Sequence, residues 1–241
     1  MKVAVVRMGW PGSSVGIVAL YSKPGSRSFL DYDLCERLRE LSLREIPKTS
    51  TYAIDMVRFP LDWGTAQDSA EYVYKGAVPL KIWFCGEVQL NWLITTDGDP
   101  KSSVSLRINT LRESDQIKLE EILFDMSYPK VDREARNGVP AEIWAGRFMS
   151  KKNTPKAQIK LFGDIYDARE KNNKDRPNYS VHALKQGDVV MVETYIQRYR
   201  PSTKPNDQWK VKYQLKKLYV LYVGDDSGDA PGDVPDEDED I

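Results

Sequence analysis

Two segments near the end of the 241-residue chain, 189–199 and 209–223, place basic and aromatic residues at the spacing of a β-strand. In the second segment, Trp209, Val211, Tyr213 and Leu215 share one side, and Lys210, Lys212, Gln214 and Lys216 share the other. Single-stranded nucleic acid requires cations for its phosphates and flat rings for its exposed bases. The pattern therefore predicts a sheet with one buried face and one face that binds a single strand.

A structural explanation of the same pattern stays open. Aromatic residues on strands are usually core residues, and lysines on an exposed strand face are usually solvated. The distribution of charge favours the binding explanation. Residues 141–224 hold 17 Lys+Arg against 8 Asp+Glu, whereas residues 1–140 hold 18 against 19. The positive field is concentrated around the patterned strands, where it would attract a polyanion.

The candidate binding residues form two groups. The cations are Lys151, Lys152, Lys156 and Lys160 on a first predicted hairpin, Arg198 and Arg200 at a strand end, and Lys210, Lys212 and Lys216. The stacking candidates are Trp144, Phe148, Tyr195, Tyr199 and Trp209. Some of these rings must belong to the core, and the pattern leaves open which ones. Trp83 and Trp92 lie in apolar runs, which predicts that both are core residues.

Other kinds of site have little support. The one histidine, His182, stands in a polar stretch without a nucleophile or carboxylate motif around it, and the two cysteines, Cys35 and Cys85, have neither disulfide nor zinc spacing. We therefore predict a non-catalytic protein without a metal or cofactor. The apolar run 3–6 is too short for a signal peptide, and no stretch approaches the ~20 apolar residues of a membrane span. These features predict a soluble, intracellular protein that is not secreted and does not contact a membrane.

The N-terminal part of the chain mixes helix and strand patterns. Apolar residues at spacings of three and four predict a helix over 33–46. The run 80–96 suggests two strands that meet near Gly86. Thr110 and Glu113 have the spacing of a capping box, which predicts the start of a second helix.

From residue 141 onward the pattern is nearly all strand and turn. A strand over 141–149 is expected to form a hairpin with 156–162, and 181–185 is expected to form a short helical turn. The adjacent Lys216 and Lys217 break the alternation of the last strand, which indicates a β-bulge. Five short strands in this order fit an OB-like barrel.

The predicted fold class is mainly β, α+β overall, with a C-terminal five-stranded OB-like barrel. Residues 1–130 form an N-terminal α+β region, for which a place in this barrel and a second OB-like domain both stay open. Residues 131–140 are polar and are the candidate linker, 141–224 form the barrel, and 225–241 form a disordered acidic tail.

The tail, residues 225–241, carries nine acids and no Lys or Arg. Repulsion among these charges and the scarcity of apolar residues predict that it stays disordered. Without it, 27 acids face 35 basic residues, and the net charge changes from −1 to +8. The tail is thus either a competitor for the basic surface of the same chain or a device for solubility.

The order of these parts resembles a known family. A basic OB-like barrel followed by a Gly/Pro/Asp segment that ends in DEDEDI, residues 236–241, is similar to single-stranded DNA-binding proteins of replication from bacteria and T7-like phages. The stretch WKVKYQLKKLYVLYV, residues 209–223, also resembles the final barrel strand of the T7-like phage group. The resemblance covers 141–241. Ile241 departs from it, because these tails typically end in phenylalanine.

The resemblance implies a role for the tail in which it binds replication proteins and competes with DNA for the basic groove. The residues that would do so here are Asp236, Glu237, Asp238, Glu239, Asp240 and Ile241. The implied function is non-catalytic binding of single-stranded DNA in replication, recombination or repair, in the cytoplasm or at replication sites. RNA as the ligand and a homo-oligomer stay open. An alternative function of a different class is that of a protein-interaction or assembly module, such as a viral structural or scaffold protein, with a solubilising tail.

Overall fold

The computed structural model describes residues 32–65, 70–131, 140–151, 154–170, 176–201 and 208–224. Its α-helices are α1 (Tyr32–Ser42) and α2 (Glu113–Asp125). Its strands are β1 (Glu45–Ile46), β2 (Thr51–Ala53), β3 (Asp62–Trp63), β4 (Val73–Lys75), β5 (Val78–Pro79), β6 (Lys81–Ile94), β7 (Pro100–Thr110), β8 (Ile143–Phe148), β9 (Ile165–Asp167), β10 (Val189–Tyr199) and β11 (Lys210–Tyr222). Short 3-10 turns stand at Pro47–Thr49, Ile54–Met56, Lys156–Gln158 and Val181–Ala183.

Five of these strands close into a barrel in the order β6-β7-β8-β11-β10 and back to β6. The pairs are antiparallel except β8 with β11, which run parallel. Shorter strands extend the same sheet, with β2 beside β6, β1 beside β2, and β9 beside β11. This arrangement confirms the predicted mainly β fold with a five-stranded, OB-like barrel.

The barrel begins earlier in the chain than predicted. β6 and β7 lie within 81–110, so two of the five barrel strands precede the segment 131–140. The strands over 81–110 therefore belong to the barrel, which is the first of the two alternatives for the N-terminal region. Placing the whole barrel in 141–224, with 131–140 as a linker between domains, was therefore wrong. Local periodicity shows where strands are, but it does not show which distant strands pair.

The run predicted to form two strands is the single long strand β6. Gly86 does not make a turn there. It pairs with Thr110 of β7, and a Cβ at Gly86 would stand only 2.6 Å from the backbone oxygen of Asn109. The glycine is needed because two strand backbones approach closely.

The predicted hairpin partner of β8 over 156–162 is also wrong. Its first residues form the 3-10 turn Lys156–Gln158, and β8 pairs with β7 and β11 instead. Phe162 is buried in the barrel core. Phe162 thus fills the barrel without belonging to a strand, while Leu161 is exposed.

Alternation along β10 and β11 separates core from surface as predicted. The inward residues Val190, Val192, Thr194, Ile196, Val211, Tyr213 and Leu215 are all buried. α2 packs against this core, and the hydroxyl of Tyr213 donates a 2.5 Å hydrogen bond to the backbone oxygen of Leu119. The predicted capping box is not formed. Arg112 is the N-cap residue of α2, and Thr110 is the last residue of β7.

α1 covers part of the outside of the barrel. Its residues Leu34, Leu38 and Leu41 form a second apolar cluster with residues that include Trp83 and Met191. The indole nitrogen of Trp83 donates a 3.0 Å hydrogen bond to the oxygen of Leu41, which agrees with the prediction that Trp83 is a core residue. Neither helix in the described part of the chain is long and apolar enough to cross a membrane.

Candidate nucleic-acid interface

The outward side of β11 carries a row of polar residues because a bulge preserves the alternation on both of its sides. Thr194 of β10 pairs with Leu215, and the preceding residue Glu193 pairs with Lys217, which leaves Lys216 as the extra residue. The predicted bulge is confirmed. Lys210 is exposed, and Lys212, Gln214, Lys216 and Lys217 are partly exposed.

Lys212 lies between two aromatic rings. Its Nζ is 5.1 Å from the ring centre of Phe148 on β8 and 5.1 Å from the ring centre of Tyr199 on β10. Phe148 is 58% exposed, so its ring is accessible to a ligand. Burial lowers the pKa of Lys212, although the nearby Glu71 partly opposes this shift. Three neighbouring strands thus place two flat rings and one cation in a row, which we call the Lys212 cluster.

A second pair of rings, Trp92 and Trp144, lies beside this row. Their ring centres are 5.0 Å apart, with a tilt of 38° between the planes. The indole nitrogen of Trp144 donates to Glu142, which also forms a 2.8 Å ion pair with Arg107. Trp92 is 37% exposed, so the prediction that it is a core residue was wrong. A register shift between Val88 and Leu90 in β6 changes which residues point inward. Leu93, the residue after Trp92, is therefore the one that is fully buried.

Trp209 forms a separate stack at the start of β11. Its ring centre is 5.0 Å from that of Tyr128, which is 51% exposed, and the two residues exchange backbone hydrogen bonds of 2.8 and 2.9 Å. The guanidinium of Arg198 lies 5.2 Å from the Trp209 ring and 5.1 Å from the Trp63 ring. Trp209 is therefore a half-buried ring at the rim, with Arg198 held beside it.

Tyr195 is partly covered from outside. Its ring meets that of Tyr72 edge to face, with centres 5.7 Å apart. Burial raises its pKa. The adjoining Gln197 donates a hydrogen bond of 3.1 Å to the carboxylate of Glu71. The segment before β4 thus limits the open face on the β10 side, and only part of Tyr195 remains accessible.

Of the remaining predicted cations, those that the structure describes are not assembled around these rings. Arg200 at the end of β10 is exposed, as are Lys151 and Lys160. Among the residues that the structure describes, Lys151 and Lys160 form no ion pair and lie over no ring. Lys152 and the side chain of Lys156 fall outside the described residues.

Sequence reasoning missed several rings of this surface. Trp63, Tyr72 and Tyr128 join it only through the fold, because each comes from a segment distant in sequence from β10 and β11. In the described part of the chain, no three His, Cys, Asp or Glu side chains are grouped so that they could hold a metal.

The acidic tail, including Asp236, Glu237, Asp238, Glu239, Asp240 and Ile241, lies outside the described residues. Its starting point is well defined. The backbone nitrogen of Gly224 donates a 3.0 Å hydrogen bond to Asp188, whose other carboxylate oxygen accepts from the nitrogen of Lys185. Burial raises the pKa of Asp188. Gly224, the last described residue, therefore lies beside the turn before β10.

No protein-family model and no curated protein sequence matches this chain. Among solved structures, the fold is similar to the crystal structure of gp2.5, a single-stranded DNA binding protein encoded by bacteriophage T7. The two chains are 14% identical, the TM-score is 0.37, and the similar region covers 62% of this chain and 90% of that chain.

Proposed function

We propose that this protein binds single-stranded DNA without catalysis, along the outer face of the barrel. The observation that carries the proposal is the Lys212 cluster, in which an exposed phenylalanine and a tyrosine flank one lysine. Bases of a single strand stack on such rings, and each stack contributes about 1–3 kcal/mol. A phosphate beside Lys212 would favour its charged form, which burial disfavours.

The other parts of the face fit the same ligand. The Trp92–Trp144 pair offers a second flat surface. The Trp209 ring offers a third, with the guanidinium of Arg198 beside it. Lys210, Lys216 and Arg200 extend the positive field for the sugar-phosphate backbone. In this proposal Lys151, Lys152, Lys156 and Lys160 contact phosphates farther along the strand. A duplex fits less well, because its stacked bases are not available to these rings.

The tail supplies regulation in this proposal. Nine acids on one side of Gly224 and a body with a charge of +8 on the other attract each other over distances near the Debye length of ~8 Å. A single strand of DNA would displace the tail. The segment 236–241 would then be free to bind replication proteins in replication, recombination or repair.

The alternative is a protein-interaction or assembly module with a solubilising tail. The exposed rings of Phe148, Trp92 and Tyr128 are what favour it, since they also suit a protein partner. Cations beside the rings favour nucleic acid instead, because charged residues are depleted from the centres of protein interfaces. RNA has the same phosphates and exposed bases, and the experiment below distinguishes RNA from DNA as the ligand.

The test is a fluorescence titration of the full chain, and of a chain that ends at Gly224, with single-stranded oligo-dT and oligo-U at low and high salt. We expect quenching of tryptophan emission through the Trp92–Trp144 pair, weaker binding at high salt, and tighter binding without the tail. Preference for dT over U supports DNA. Absence of any change at low salt for both chains refutes the proposal and favours the assembly module.

A further inference from the structure

Another stacked pair of rings lies on the outside of the barrel, at the end of β11 opposite to the Tyr128–Trp209 stack. Tyr166 of β9 pairs with Tyr219 of β11, and their ring centres are 5.4 Å apart with 26° between the planes. Both rings are partly exposed, while the neighbouring Leu218 and Val220 point inward and are fully buried. The pair is thus part of the outer surface, and Tyr219 also packs against the apolar cluster beneath α1.

Two cations lie over this pair, one on each ring. The guanidinium of Arg176 is 5.0 Å from the ring centre of Tyr219, and Nζ of Lys217 is 5.5 Å from that of Tyr166. Within the described residues neither cation forms an ion pair with a carboxylate. The nearby acids are already paired, namely Asp164 with Arg147, Asp167 with Arg169, and Glu193 with Lys81. We call these two rings and two cations the Tyr219 cluster.

A second guanidinium, that of Arg37, lies close enough to Arg176 for the two charges to interact. Burial lowers the pKa of Arg37, and the charge of Arg176 lowers it further, so two guanidinium groups repel each other here. Arg37 also donates a 2.9 Å hydrogen bond to the backbone oxygen of Arg169. An anion at Arg176 would relieve the repulsion.

The bulge at Lys216 places this cluster and the Lys212 cluster on one continuous surface. Up to the bulge the even-numbered residues of β11 point outward, and beyond it the odd-numbered residues Lys217 and Tyr219 do so. Without the bulge Lys217 and Tyr219 would point into the barrel. Seven residues at ~3.3 Å each put Tyr219 about 23 Å from Lys212 along the strand.

We infer that the Tyr219 cluster is a second contact for a single nucleic-acid strand, which runs along β11 from the Lys212 cluster. The inference rests on the proposed function and adds the path of the strand. An acidic peptide, such as the tail, would meet the same two cations but would leave the stacked rings without a role. Rings with cations over them that form no ion pair with any described carboxylate fit a nucleic-acid base and its phosphate more completely.

The test uses full-length protein and oligo-dT of about 4 to about 24 nucleotides, which brackets the ~4–16 nucleotides of a typical barrel site. The variants are Lys217→Gln with Arg176→Gln, and separately Tyr166→Leu. The matched control is Arg44→Gln with Lys48→Gln, which removes two exposed charges beside β1. β1 lies four strands from β11, about 19 Å around the sheet.

We expect all proteins to bind the shortest oligonucleotides equally, since the Lys212 cluster is intact. With the longest, the charge variant loses affinity, and the slope of log affinity against log salt falls by about 1.4, at ~0.7 per phosphate contact. Tyr166→Leu binds them at least about fivefold more weakly. The control matches the wild-type protein at every length, and thermal unfolding checks that each variant is folded.

Three results overturn the inference. Both variants match the wild-type protein at every length, or they lose short and long oligonucleotides equally, or their defect disappears when the acids at 236–240 are replaced by amides. The last result would mean that the cluster holds the tail. A wild-type protein that binds no oligonucleotide instead refutes the proposed function itself.

Discussion

Replacing Phe148 with alanine should weaken binding of single-stranded DNA while leaving the fold intact. The ring is 58% exposed and lies 5.1 Å from Nζ of Lys212, so its truncation removes a stacking surface without opening a cavity. Loss of one base stack costs about 1–3 kcal/mol, which corresponds to roughly 5- to 150-fold weaker binding. Exposed substitutions of this kind change stability by only about 0.5 kcal/mol.

The assay is fluorescence anisotropy of labelled oligo-dT at fixed low salt, with thermal unfolding measured in parallel. Phe59→Ala is the matched control, because Phe59 is 44% exposed and, in the described structure, no cation lies over its ring. We expect Phe59→Ala to bind as the wild-type protein does. Equal affinity of Phe148→Ala and the wild-type protein would refute the idea that the Lys212 cluster stacks a base. A large loss of stability in Phe148→Ala would refute the inference that this ring does not contribute to core packing.

Three further predictions concern single positions. Lys212→Gln should lower the slope of log affinity against log salt by about 0.7, because one phosphate contact is lost, and a salt titration measures this. Gly86→Ala should lower the free energy of unfolding by about 1–3 kcal/mol in urea denaturation, because the new Cβ would stand 2.6 Å from the oxygen of Asn109. Burial raises the pKa of Asp115 from its ordinary value of 3.8 to about 6. Because the folded pKa is the higher one, its stabilising contribution is complete below pH 3.8 and is lost as pH rises through about 6, a change of about 3 kcal/mol. Asp115→Asn should remove this pH dependence from urea denaturation curves recorded between about pH 4 and 8, and an unchanged pH profile would contradict the assignment.

Local patterns predicted the elements whose neighbours are close in sequence. β10 spans 189–199 as expected, because β-branched and aromatic residues arranged with a period of two over 190–196 are a strong strand signal. The bulge at Lys216 was visible because two adjacent lysines cannot both keep the period of two. α1 ends at Ser42, short of the expected 46, because Glu45–Ile46 pairs with β2. Such a pairing depends on residues outside the helix pattern.

Pairing between strands distant in sequence determined the features that local patterns did not predict. Gly86 looks like a turn residue in sequence, yet it is the point where β7 passes close to β6. Trp92 stands in an apolar run, yet a register shift three residues earlier turns it outward. The rings that join the candidate interface, Tyr128 and Trp63, approach it only because the barrel closes. No spacing rule along one strand contains this information.

The bulge and α1 together set the length of the surface that β11 offers. On one side of Lys216 the outward residues are Lys212 and Gln214, and on the other side they are Lys217 and Tyr219. The next outward residue, Leu221, is buried in the apolar cluster beneath α1, so the open row ends at Tyr219. A straight strand would have turned Tyr219 into the barrel, and a barrel without α1 would have left Leu221 exposed to water. The same two features that complete the core therefore also determine where a bound single strand would have to leave β11.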